Sequence, residues 1–126
     1  MKASKDYNVF EADTSKLMPG VSIDCVVIGF DLQELQILLL KLKEQDMWML
    51  PGGFIKLEED MDQAATRILE ERTGIKLPYL KQFHTFGDVD RRGDTRFHEL
   101  FKNHKHAISK MLIFLEQRFI SSGYLS

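Results

Sequence analysis

Two rhythms of hydrophobic and polar positions run along this chain, and each marks a different kind of element. Residues 21–31 (VSIDCVVIGFD) form a β-branched, apolar run that reads as a buried strand, and residues 35–43 (LQILLLKLK) read as a second. The short polar link between them, residues 31–34, predicts a hairpin of unspecified turn type. Residues 47–50 (MWML) make a short apolar strand that enters the turn Pro51-Gly52-Gly53, with Trp48 expected in the core. The rhythm then changes to that of a helix. Ala64, Ala65, Ile68 and Leu69, with Met61 one turn earlier, form one apolar stripe. Asp60 and Asp62 suit the positive end of that helix, and Gly74 is a natural C-terminal cap. Residues 80–89 (LKQFHTFGDV) read as a strand interrupted at Gly87. Ile108, Met111, Leu112, Leu115 and Phe119 give a second helical stripe, capped by Asn103 and ended by Ser121-Ser122-Gly123.

Composition narrows the class rather than the function. With 126 residues, 44% hydrophobic and 29% charged, the chain has the make-up of one soluble globular domain. A net charge of −2 gives no electrostatic footprint for nucleic acid, so DNA binding would need a further domain. The single Cys25 excludes an internal disulfide, fits a reducing compartment and sits in an apolar run as a buried, inert thiol. No apolar stretch approaches a membrane span and the N-terminus has no signal-peptide region, so a cytoplasmic protein with no membrane partner is expected. His98, His104 and His106 cluster without metal-ligand spacing and read as the start of a surface helix.

The most specific signal lies in residues 50–75, LPGGFIKLEEDMDQAATRILEERTGI. Gly53, Glu59, Arg67, Leu69, Glu71, Gly74 and Ile75 fall on the spacing of the Nudix box, which this stretch resembles. Two positions depart from it: Ile68 and Arg72 stand where glutamates are expected. In the family the helical glutamates hold magnesium and activate water while the arginine orients them. The resemblance thus implies Glu59 and Glu71 as metal positions, Glu71 as a degenerate catalytic position, and Gly52, Gly53, Arg67, Arg72 and Arg91 as ligand-binding residues.

Magnesium needs hard oxygen ligands. Positions 68, 71 and 72 project to neighbouring sides of the helix, so the expected three carboxylates become an apolar side chain, one carboxylate and one guanidinium. Arg72 opposes a cation directly, so magnesium binding is expected to be weak or absent and hydrolysis lost or slight. Glutamates at 68 and 72 would be expected to restore it. Plainer roles stand beside these. Ile68 can extend the core stripe. Arg72 can be a solvated last-turn cation, or pair with Glu71 or a ligand phosphate. Glu59 and Arg67 can be a structural ion pair rather than part of a metal site.

The likeness extends beyond the box. Residues 21–31, LLLKLK, MWMLPGGFI, the helix and Phe86-Gly87-Asp88-Val89-Asp90-Arg91 resemble the Nudix-like sensor domains of bacterial transcription regulators of NAD or sugar metabolism. That likeness implies an α/β (α+β) fold, a Nudix-like α/β/α sandwich with a mixed sheet. It divides the chain into a polar arm (1–19), a Nudix-like domain (20–96) and a C-terminal helical segment (97–126), with later strands of the family missing after Arg96. The implied function is sensing of a phosphorylated sugar or ADP-ribose-like effector, with DNA reached only through a winged-helix domain outside residues 1–126. The alternative is a magnesium-dependent hydrolase of a nucleoside diphosphate derivative; a remnant without ligand is a third reading. A sheet short of strands leaves apolar surface, so a homodimer is expected with the 108–119 helix at its interface, which Leu115→Asp would break.

Overall fold

A computed structural model describes residues 13–42, 46–76, 79–89 and 118–126. A short 3-10 turn (Thr14–Lys16) leads into the long strand β1 (Leu17–Val26), then β2 (Ile28–Phe30), β3 (Leu35–Ile37), β4 (Leu40–Lys41), β5 (Trp48–Met49) and β6 (Gly52–Lys56). Helix α1 (Met61–Thr73), β7 (Lys81–Phe86) and β8 (Ile120–Leu125) complete the described elements. The main sheet is mixed, in the order β6-β1-β8-β7, with β1 and β8 parallel and the outer pairs antiparallel.

The predicted hairpin forms between β2 and β3, pairing Ile28 with Ile37 and Phe30 with Leu35. The predicted strand over residues 21–31 divides at Val27 into β1 and β2, which belong to different sheets, and stops at Phe30; the Val27 carbonyl accepts from the Leu38 amide at 3.0 Å. Residues 35–43 divide into β3 and β4, with Leu38, Leu40 and Leu42 buried. Trp48 departs from expectation. It is 58% exposed, because β5 pairs only with β4 outside the main sheet, and its ring lies 5.7 Å from the Lys41 ammonium.

Helix α1 buries the predicted stripe: Ala64, Ala65, Ile68 and Leu69 pack on Ile23, Cys25, Val27, Leu38, Ile55 and Tyr124. Gly74 ends it in the left-handed conformation (φ 75°), its N–H donating to the Glu70 carbonyl at 2.8 Å. That geometry carries no Cβ penalty only in glycine. The Cys25 thiol lies against the Ala65 carbonyl at 3.9 Å, and burial, helped by the Asp24 charge, pushes it up to about 12. Few such thiols ionise at neutral pH, so this cysteine behaves as a small hydrophobe.

Three expectations change at the ends of the chain. The polar arm was expected to run to residue 19, but β1 starts at Leu17, with a register shift before Ser22 where Gly20 takes φ 75°. Ser121, Ser122 and Gly123, expected to end a helix, lie inside β8. That strand sits between β1 and β7, so the sheet draws residues from both sides of the boundary expected at residue 96 and contains a later strand that the sequence reading lacked. The predicted helix from Asn103, its stripe at 108–115, the histidine cluster and Arg91 lie outside the described residues. Among the described residues no helix is long and apolar enough to cross a membrane.

Candidate functional site

The register of the sheet divides its side chains between two faces. Ile23, Cys25, Ser122 and Tyr124 lie in adjacent registers and face α1. Ser22, Phe54 and Ser121 lie on the opposite face, where the Ser22 and Ser121 hydroxyls are 2.6 Å apart and the Phe54 and Phe119 rings are 5.8 Å apart. The alternation in Ser22-Ile23-Asp24-Cys25 is the sequence signal for this division. Asp24 and the Phe54–Phe119 pair were not singled out from sequence.

Strand β6 reaches the helix through Gly52 and Gly53. A Cβ on Gly52 would stand 2.7 Å from Asp24 Oδ1 and 2.9 Å from the Ile23 carbonyl oxygen. One on Gly53 would stand 3.1 Å from Ile68 Cγ1, 3.3 Å from Ile68 Cδ1 and 3.5 Å from Arg72 Nη2. Gly52 is therefore needed for close approach to the neighbouring strand, while a side chain at Gly53 would require Ile68 to give by a few tenths of an ångström. Beneath them Ile68 is fully buried.

Arg67 organises the other side of the box. Its Nε donates to both Glu59 carboxylate oxygens (2.9 and 3.1 Å), its Nη2 to Glu59 Oε1 and to the Phe54 carbonyl (2.7 Å), and its Nη1 to Glu71 Oε2 at 3.2 Å. Glu59 Oε1 also accepts from the Lys56 amide at 2.8 Å. The Arg67 hydrogen bond holds the Glu59 carboxyl below its usual range, and the same contact raises Arg67 above its own. A single guanidinium thus ties the end of β6, the turn before the helix and the helix itself. Arg72 extends from the last helical turn to the Gly52 carbonyl, with Nε donating at 3.3 Å.

Of the residues expected from sequence, Gly52, Gly53, Glu59, Arg67, Glu71 and Arg72 converge on this junction of β6 and α1. Ile68, next to Glu71 and Arg72 on the helix, turns into the core, as the apolar stripe predicts. Among the described residues no group of three or more His, Cys, Asp or Glu side chains is arranged to hold a metal ion. Two contacts escaped the sequence reading. The Tyr124 hydroxyl donates to Asp62 Oδ1 at 2.6 Å, and Arg118 Nη2 donates to the Gly87 carbonyl at 2.9 Å. Neither had a local signal, since each joins residues far apart in the chain.

Comparison with known proteins places this geometry. The profile of the NUDIX domain matches residues 18–118. Over 78 residues the chain is 38% identical to the ADPR responsive transcriptional repressor NtrR of Acinetobacter baylyi, covering 58% of this chain and 31% of the repressor. The chain thus spans about a third of that relative's length. The NUDIX domain of Shewanella oneidensis NrtR complexed with ADP ribose has a similar fold (TM-score 0.58, 24% identity, 92% of this chain and 65% of that one). So does the C. elegans Ap4A hydrolase (TM-score 0.53, 18% identity, 86% of this chain and 67% of that one).

Proposed function

The chain belongs to the NUDIX family, and from that premise we propose that it is an effector-sensing domain of a transcription regulator, binding a phosphorylated sugar or ADP-ribose-like ligand without efficient hydrolysis. The observation that carries this reading is where the carboxylates of the box are spent. Glu59 is held by Arg67 through both oxygens, Glu71 by Arg67 through one, and the remaining two box positions present a buried Ile68 and a guanidinium. Such a donor set does not fit magnesium, which takes several oxygen ligands and is opposed by a fixed cation. At the same junction Arg72 brings a second guanidinium, beside the Gly52 carbonyl, and guanidinium pairs well with phosphate oxygens.

The relationship to the NtrR repressor supports the choice of effector class. On this reading the protein works in the cytoplasm and reaches DNA only through a separate DNA-binding domain. Calorimetric titration with ADP-ribose tests it, run once in excess chelator and once in magnesium, with product analysis of both samples. Micromolar binding that is indifferent to magnesium, intact ligand afterwards and at least ~10-fold weaker binding by Arg72→Ala are expected. Magnesium-dependent turnover would instead make the protein a hydrolase of nucleoside diphosphate derivatives, and no binding at all would remove the effector assignment.

A further inference from the structure

Arg67 does not hold its two carboxylates alike. Glu59 takes Nε on both oxygens, Nη2 on one and the Lys56 amide besides, and its side chain is only 14% exposed. Glu71 is 48% exposed and meets Arg67 through a single bond, from Nη1 to Oε2 at 3.2 Å. Nη1 is the nitrogen left over when Nε and Nη2 turn inward to Glu59 and the Phe54 carbonyl. Two features weaken its bond to Glu71. The pair runs cation first along the helix, the poorer order for residues four apart. Glu71 also lies in the last turn of α1, where the helix carbonyls already present negative charge.

Strand β6 shows what this corner gathers. Just before it, the Pro51 carbonyl accepts from the Cys25 amide of β1 at 2.8 Å, so the alternation of an extended strand turns the Gly52 and Phe54 carbonyls to the opposite edge. Arg72 and Arg67 reach those two carbonyls, which are roughly 7 Å apart along the strand. Glu71, next to Arg72 in sequence and bonded to Arg67, sets its carboxylate against the same pair of cations.

We propose that Glu71 is an internal stand-in for the ligand's phosphate. Its carboxylate occupies the outer donor of Arg67 in the free protein and swings away when a phosphoryl oxygen takes its place. This rests on the effector-binding reading above and adds to it a built-in competitor. The exchange leaves Glu59 untouched, so the tie between β6, the turn and α1 survives binding. It also sets a threshold, because a monoanion gains little by replacing one carboxylate with another. A phosphoryl group brings more charge and more acceptor oxygens. Glu71 thereby raises the ligand concentration at which the site fills.

Titration calorimetry of the 126-residue chain with ADP-ribose, and separately with inorganic pyrophosphate, tests this in excess chelator at two salt concentrations. Glu71→Gln removes the charge and Glu71→Ala the side chain. Glu70→Gln, whose parent carboxylate pairs with Lys76 at 3.5 Å, is a control of equal charge change. Position 71 is half exposed, so both variants should keep the wild-type circular dichroism. Binding is expected to be at least ~3-fold tighter in the Glu71 variants and unchanged in the control, with a gain that shrinks as salt rises. Equal or weaker binding in the Glu71 variants, or an equal gain in the control, overturns the proposal and leaves the effector reading standing. A gain with pyrophosphate alone keeps the proposal and removes ADP-ribose as effector. Binding of neither probe by any of these proteins overturns both.

Discussion

Ile68 shows how one side chain can decide the use of a helical face. Its neighbours at 71 and 72 reach solvent or the Gly52 carbonyl, while its own branched chain fills the space under Gly53. A glutamate placed there would first have to leave water for an apolar core. Ile68→Glu should therefore destabilise the fold by several kcal/mol, order of magnitude, and millimolar magnesium should not restore it. Urea denaturation with and without magnesium checks this; a stable variant with new magnesium affinity would show that position 68 can turn outward. The spacing of Gly53, Glu59, Arg67 and Gly74 was legible because it is local, as was the apolar stripe that includes Ile68. The direction of the box carboxylates was not, because Arg67 sets it through contacts to a turn eight residues back and a strand carbonyl.

Among the elements, α1 and the first hairpin could be read because periodicity within ten or so residues specifies them. β8 could not. Its sequence, ISSGYL, has no alternation: Ser121, Ser122, Gly123 and Tyr124 are all buried because strands flank both edges and both faces are filled. Small polar residues fit there because they find partners: Ser121 with Ser22, Ser122 with Thr85 at 3.2 Å, and Tyr124 with Asp62. The last bond fastens the first turn of α1 to the sheet. Burial and the Asp62 carboxylate both keep the Tyr124 phenol protonated, so it remains a donor at any ordinary pH. Tyr124→Phe keeps the ring packing and removes only that bond. A loss of about 1–2 kcal/mol is expected by chemical denaturation, with an unchanged m-value. No loss would mean the phenol and Asp62 do equally well with water.

At the scale of the molecule, order should be graded outward from the middle of the sheet. β1 and β8 are each paired on both sides, while β2–β3 and β4–β5 are isolated two-stranded ladders whose amides have fewer neighbours. Hydrogen exchange should accordingly be slowest for residues 22–25 and 121–124 and faster by at least ~100-fold across 29–36 in the monomer. Uniform protection would show that the small ladders open only with the whole sheet. Family membership was legible in the box alone, whereas the closing of the sheet was hidden in a pairing across 99 positions of sequence, Ser22 with Ser121.

That same pairing gives the protein a timetable. As the chain emerges from a ribosome, the β1–β6 ladder and α1 are available early, but two strands and a helix make only half a sheet. The strand that joins β1 to β7 is made after every other described element, and it must enter between them, parallel to β1 and antiparallel to β7, with the β1 pairing a contact of high order and slow to form. Until then the inner edge of β1 stands open with Ile23 and Cys25 on its core side. For this molecule the interval between synthesis and closure is when chaperones matter most.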